Sequence, residues 1–405
     1  MRFALPRQHG VALIGISLIA YFAIGLHEGM LGVAWPSMSD NFKVSIPSFG
    51  ILLTILTIGY GTGSAFSGRL IGRYGTGTIL TSSAATATLG VLGYTVAPNW
   101  PTMLACAVVT GAGIGTMDGG INSYAALRFS SVVTNWIHAF FAVGASVGPA
   151  VMTAILVAGS TWKVGYIIAV GVFGSAMMCF LFTRARWSLD DDTEVQIPKL
   201  RQVATRMSAT LRLRQAWFGI ALFALYAGIE VAVGQWTFTV LTQSREISTA
   251  AAGSWVTAYY VGLTVGRIGL GALTGFFQPN RVMRVSITMA VAAAVVFWLD
   301  VAQWAGFAAI FTLGLCLGPV FPSLISTTPT RIGRAHTSNL VGFQMTGAAA
   351  GVAIIPGGFG LIARFTGVAA IPGAIALLTV ALLVLFVVVE RSGRPKPPTS
   401  STSRI

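Results

Sequence analysis

Charge is what this sequence has least of. Asp and Glu together number 11 and Lys and Arg 25 in 405 residues, so charged side chains make up 9% of the chain, against about 25% in ordinary soluble domains. A soluble surface cannot be built from so few charges. Cysteine is also scarce, and Cys106, Cys179 and Cys316 all fall inside apolar stretches with neither disulfide nor metal-ligand spacing. Histidine occurs four times. No metal set and no nucleophile–base pair stands out, and His27 beside Glu28 is too little to suggest an enzyme. No metal and no cofactor are expected. The net charge of +14 raises the question of nucleic acid. The cations lie between apolar segments, however, and not in clusters with stacking aromatics, which is the pattern of charged loops beside a membrane.

Hydrophobic residues are 55% of the chain and mean hydropathy is +0.78. A spanning helix needs about 20 mostly apolar residues. The pattern predicts twelve such helices, at roughly 11–36, 46–72, 77–97, 101–127, 134–159, 163–183, 215–242, 249–275, 283–301, 304–328, 336–363 and 369–390. Arg2 and Arg7 ahead of the first run resemble a signal peptide, but no small-residue cleavage site follows, so an uncleaved first helix is expected. An even number of spans puts both termini on one side. With the termini cytoplasmic, the inner loops hold Arg69, Arg73, Arg128, Arg281, Arg284, Arg331 and Arg334, while the outer loops hold Lys43, Lys163, Arg245 and Arg364. The positive-inside rule therefore predicts a multi-pass plasma (inner) membrane protein with cytoplasmic termini.

The polar stretch Arg184–Arg214, with Asp190, Asp191, Asp192 and Glu194, divides the chain near its middle. It sets the expected organisation: residues 1–184 as a first six-helix bundle, 185–214 as a cytoplasmic linker, 215–390 as a second bundle, and 391–405 as a disordered Pro- and Ser-rich tail. The halves repeat. At an offset of 203, Gly111, Gly115, Arg128, Gly144 and Gly148 fall on Gly314, Gly318, Arg331, Gly347 and Gly351. Gly63 and Gly68 fall on Gly266 and Gly271, and at 202 Glu28 and Gly32 fall on Glu230 and Gly234. Glycine matches alone are weak in a chain with 48 of them. A near-constant offset across several helices, carrying a membrane glutamate with it, indicates parallel repeats about an axis along the membrane normal, with a binding site between them. The fold class expected is an all-α membrane protein of two pseudo-symmetric bundles.

Ionisable groups inside a spanning helix are costly and normally face the bundle interior. Asp118 and Asn122, four apart, share a face beside the small-residue stripe Gly111, Gly115 and Gly119, a setting suited to proton uptake and release. His138 follows in the next helix, with Asn135 one turn before it. Glu230 has Tyr226 one turn before and Gln235 and Trp236 just after, and Glu28 is its repeat mate beside His27. Carboxylates, amides and an indole face suit a polyol. His27 points about 100° away from Glu28 around a helix. Arg69, Gly72, Arg73 and Gly75 form a basic loop after the second helix, answered in the second half by Gly266 and Arg267.

Asp118-Gly-Gly-Ile-Asn122, Asn135-Trp-Ile-His138-Ala-Phe-Phe, Tyr226-Ala-Gly-Ile-Glu230-Val-Ala-Val-Gly-Gln-Trp236 and Gly318-Pro-Val-Phe-Pro-Ser-Leu-Ile325 together resemble the fucose permease group, the fucose–proton symporters of the major facilitator superfamily. Gly342-Phe-Gln344 also fits, and the resemblance covers nearly the whole chain. It implies the major facilitator fold and proton-coupled uptake of a monosaccharide by alternating access, in a protein expected to be monomeric. Asp118 would be the protonation site, with His138, Glu230 and Glu28 as further coupling candidates. Asn122, Asn135, Tyr226, Glu230, Gln235, Trp236, Gln344 and His27 would be substrate contacts, and Arg69, Arg73 and Arg267 gating residues. The family's helix-1 aspartate is not reproduced, and the gating loop has Gly72 where an acid usually stands. Gly144-Ala-Ser-Val-Gly-Pro149 resembles the glycine–proline signature of drug–proton antiporters, which motivates the competing expectation of a proton-driven exporter of drugs or metabolites.

Overall fold

The computed structural model describes residues 8–187, 207–270 and 278–392. Twelve long helices are present among them. They are α1 (Gln8–Phe42), α2 (Phe49–Tyr74), α3 (Thr76–Val96), α4 (Trp100–Arg128), α5 (Ser131–Val157), α6 (Trp162–Thr183), α7 (Arg214–Ser244), α8 (Thr249–Val265), α9 (Pro279–Leu299), α10 (Gln303–Leu317), α11 (Arg334–Thr366) and α12 (Ile371–Ser392). Eleven membrane-spanning candidates satisfy length and composition together; α8 has 17 residues and continues as the π-helical turn Gly266–Leu270. The far end of the eighth predicted helix, Arg2 and Arg7, and most of the predicted linker and tail lie outside the described residues.

Two boundaries differ from the sequence reading. Helix α1 runs through Pro36 to Phe42, beyond the expected end near 36. The tenth segment is broken: α10 stops at Leu317, Gly318-Pro319 interrupts, and the chain resumes as the short helices Val320–Ser326 and Thr328–Ile332. Pro319 has no amide hydrogen to donate, so the ladder fails there.

Successive helices alternate in direction. The face carrying the start of α1 and the end of α12 is called basal here, and the other distal. The repeat read from sequence is present as packing. Cβ atoms added at Gly59 and Gly63 would meet Val108 O and Ala112 O at 2.4 and 2.2 Å; at Gly262 and Gly266 they would meet Phe311 O and Leu315 O at 2.4 and 2.1 Å. Each residue is 203 from its counterpart. Likewise Gly111 and Gly115 sit on Leu56 and Tyr60 as Gly314 and Gly318 sit on Tyr259 and Leu263. The α2–α4 contact is thus rebuilt as α8–α10. Small residues matter here because lipid gives helices little hydrophobic reason to associate, and close backbone approach supplies the attraction. Lys43 and Glu246, also 203 apart, both turn the chain with φ near +50°.

The halves meet through the distal and middle parts of their helices. Gly32 lies against the Gln235 backbone, Gly50 against Gly357 and Gly360, and Gly253 against the Thr153 side chain. Thr54 Oγ1 reaches Ala353 O at 3.3 Å, and Ser146 and Thr264 share a hydrogen bond of 3.2 Å. Trp35 stacks on Phe49 with centroids 4.9 Å apart, and Phe49 meets Trp236 of the other half edge-on at 5.2 Å. Closer to the basal face, Asn135 and His138 of α5 are exposed. The distal and middle parts of the seam are thus packed together.

Candidate functional site

Two polar clusters face each other across the bundle middle. In the first half, Asp118 lies ten residues from the basal end of α4. Its Oδ1 accepts from the Tyr21 hydroxyl of α1 at 2.6 Å and from Asn122 Nδ2 at 3.1 Å; its Oδ2 accepts from the Tyr60 hydroxyl of α2 at 2.6 Å. Three neutral donors from three helices therefore compensate one carboxylate. The glycine stripe beside Asp118 explains the reach, since Gly115 brings α4 onto the Tyr60 backbone itself. The His138 ring meets Tyr21 edge-on at 5.1 Å, and the same Tyr21 donates its hydroxyl to Asp118.

In the second half, Glu230 accepts from the Tyr226 hydroxyl one turn earlier on α7 and forms an ion pair with Arg267. Both partners are mostly buried, with side-chain exposures of 14% for Glu230 and 24% for Arg267. The Glu230 carbonyl accepts from the Tyr259 hydroxyl at 2.8 Å. Arg267, grouped from sequence with the gating loop, is placed instead on this intramembrane carboxylate. Its long side chain and its position at the π-helical turn let it reach inward. Arg69 and Arg73 are exposed at the basal end of α2, over the rings of Phe66 and Tyr74.

Glu28 stands between the clusters. It is close enough to act electrostatically on Glu230, Arg267, Tyr60 and Tyr260. Among the described residues no hydrogen bond or ion pair reaches its carboxylate. Its backbone carbonyl accepts from Gln235 Nε2 at 3.0 Å, a bond that crosses from α7 to α1. Trp236, expected to pack on a substrate ring, donates its indole hydrogen to Pro356 O at 3.0 Å and belongs to the closed distal seam.

Two expected substrate contacts are placed elsewhere. His27 turns into the first bundle, against Tyr94, Tyr166 and Phe173 at 5.8–6.4 Å. Its one-residue step from Glu28 carries it about 100° round the helix. Gln344 lies inside the second bundle, where its Oε1 accepts from Thr328 Oγ1 at 3.2 Å and its amide packs on Gly219. The sequence reading missed Tyr21, Tyr60, Tyr259 and Tyr260. Tyr21 and Glu28 are seven apart on one face of α1, a spacing that could have flagged Tyr21. Tyr60 comes to Asp118 only through the α2–α4 contact, which no local spacing reveals.

Outside the spans, the short helix Thr328–Ile332 half-buries Arg331. Burial pushes its guanidinium down to about 10, partly offset by Glu390, which is itself paired with Arg284. On the distal side Arg245 pairs with Asp300 at 3.2 Å and lies over the Phe297 ring, 4.4 Å from its centroid.

The arrangement is that of a membrane protein with its polar chemistry on the axis between two repeats, and residues 17–356 match the model of the Major Facilitator Superfamily. The chain belongs to this superfamily. It is a transporter rather than an enzyme. Bypass of stop codon protein 6 of Saccharomyces cerevisiae is 23% identical over 384 residues, covering 86% of this chain and 76% of that protein. The Glucose/mannose transporter GlcP of Bacillus subtilis is 18% identical over 352 residues, covering 85% and 86%. Among solved structures, the nucleoside transporter NupG aligns with a TM-score of 0.72 at 12% identity, covering 94% of this chain and 99% of its own. A structure of the E. coli Fucose:proton symporter FucP aligns with a TM-score of 0.63 at 14% identity, covering 96% and 100%. These structures share the fold with this superfamily member.

Proposed function

We propose that this transporter is a proton-coupled symporter of a monosaccharide, working by alternating access with its basal face in the cytoplasm. On this reading 1–184 and 215–390 are the two rocking bundles. One observation supports it above the rest. The bundle middle gathers three carboxylates, Glu28, Asp118 and Glu230, with one guanidinium, Arg267. Arg267 compensates Glu230, and three neutral donors compensate Asp118, but Glu28 has no such partner among the described residues. Charges held away from water need a partner. A proton is the smallest cation that restores balance, and its uptake at the acid set, with His138 beside it, ties charge to the conformation of the seam.

The acceptor-rich lining suits a substrate that donates hydroxyls. The relatives named for glucose, mannose and fucose point the same way, and the one named for nucleosides is the nearest alternative cargo. The glycines that motivated an exporter have a packing role: Gly144 lies on Phe22 O and Gly148 on Leu26 O, holding α5 to α1. Uptake of labelled monosaccharides and nucleosides into proteoliposomes, with and without an inward proton gradient, tests the reading. Gradient-driven accumulation of one sugar, lost in Asp118→Asn, is the expected result. Accumulation driven by sodium alone would replace the proton, and extrusion without uptake would replace symport.

A further inference from the structure

We propose that the distal end of the seam holds a second small-molecule site, for a neutral hydroxylated compound the size of a monosaccharide. A pocket of about 340 Å³ opens there. Ser37 of α1 and Ser160, just past the end of α5, line one side of it. Phe238, Thr242 and Gln243 of α7 and Thr249 of α8 line the other. Both halves therefore build the pocket. Two contacts separate it from the buried acids. Gly32 is laid on the Gln235 backbone, joining α1 to α7, and Gly253 on the Thr153 side chain, joining α5 to α8. These are the same four helices, touching one or two turns deeper, and they give the pocket a floor. Ser37 is nine residues beyond Glu28, about 13 Å along α1.

Size and lining choose the ligand. The volume lies at the small end of ligand pockets, which run from about 300 to 1,000 Å³. Hydroxyls and an amide surround Phe238, and among the described residues no charged side chain lines the space. Arg245, two residues past Gln243, is held by Asp300 and the Phe297 ring. An ion would lose water there without gaining a counter-charge. A sugar finds donors and acceptors for its hydroxyls and an aromatic side chain for its carbons. The Thr242 hydroxyl donates to Phe238 O at 2.9 Å, so its oxygen is left as an acceptor. The consequence rests on the alternating-access part of the reading above. Separating the halves draws α1 and α5 away from α7 and α8 and takes the pocket apart. A ligand held there binds one conformation and not the other, and shifts the population toward it. The site is a brake on transport, worked from the distal side.

Occupancy can be read at the rim. Ser160→Cys in nanodiscs is alkylated with a polar maleimide in the presence of methyl β-D-glucopyranoside, myo-inositol or uridine, with the unaltered protein as background. At about ten times the Kd of a probe that binds, alkylation should slow about tenfold, because the free fraction falls as 1/(1 + [L]/Kd). Adding Gln243→Leu and Thr249→Val should abolish the protection. Adding Asp118→Asn should leave it, since the buried acids take no part. Adding Gly50→Val, which acts on α2 and α11 away from the pocket, should reduce protection in step with the share of molecules whose spin labels at the distal ends of those helices stay close. Four results overturn the proposal: no protection by any of the three probes, protection lost with Asp118→Asn, protection indifferent to Gln243→Leu with Thr249→Val, or protection unrelated to the α2–α11 distance. Uptake that needs neither proton nor sugar would leave these expectations as they stand, so the two readings fail separately.

Discussion

At the scale of single residues, the membrane interior makes each polar group answerable to a partner. Asp118 is compensated by donors worth about 1.5–3 kcal/mol each when the acceptor is charged. Tyr60→Phe removes one of them without altering the packing of the ring. Initial rates of gradient-driven uptake should drop about 10- to 100-fold, in proportion to that loss. A rate within twofold of the unaltered protein would show that Tyr60 only fills space. Glu230 and Arg267 call for a different experiment. Removing one member leaves a buried charge alone, at a cost of about 3–5 kcal/mol, while removing both can be nearly neutral. Glu230→Gln and Arg267→Gln should each lower Tm in detergent, and the double variant should recover much of the loss. Additive losses would mean that the ion pair contributes nothing as a pair.

The acids were legible in the sequence for the reason that makes them costly. A carboxylate in an apolar run stands out, and Asp118 with Asn122 declares a shared face by spacing alone. Their partners were not legible. Tyr21 and Tyr60 are ordinary aromatics on α1 and α2, and only the three-dimensional approach of those helices to α4 makes them ligands of a charge. Arg267 was read by analogy with its repeat position near the basal loop. The inward direction of its side chain, from the π-helical turn to Glu230, is not encoded in that position.

At the scale of the element, glycine decides which helices touch. The 203-residue offset predicted a repeat, and the packing shows what was repeated: a pair of glycines on each helix, laid on the opposing backbone. A Cβ at Gly63 would stand 2.2 Å from Ala112 O, and one at Gly314 would stand 2.1 Å from Tyr259 O. Gly61, two residues from Gly63, faces open space. Gly63→Ala and Gly314→Ala should each destabilise by about 1–3 kcal/mol, the usual cost of overpacking, and Gly61→Ala by much less. Thermal unfolding of the three variants in one detergent checks this. Equal Tm values would mean that the helices separate freely to admit a methyl group. The break at Gly318-Pro319 belongs to the same scale. Hydropathy reads straight through it, because apolar character continues while the backbone ladder does not.

For the whole molecule, the contacts that hold each bundle together differ from those that close the distal seam, and a substitution can address the second set alone. Gly50 touches Gly357 and Gly360 of the other half, with Gly357 O 2.4 Å from the position of an added Cβ. It has no such role within its own bundle, where α2 meets α4 through Gly59 and Gly63. Gly50→Val should therefore leave each half folded while keeping the distal ends of α2 and α11 apart. If alternating access requires that seam to close, the variant rests with its distal side open, and net transport falls at least 10-fold, since closure would demand overpacking of more than about 1.4 kcal/mol. Spin labels at the distal ends of α2 and α11 would report a longer distance than in the unaltered protein, with an unchanged elution profile. A normal distance together with normal transport would mean that the seam tolerates the added bulk and that the two bundles do not rely on glycine contact to close.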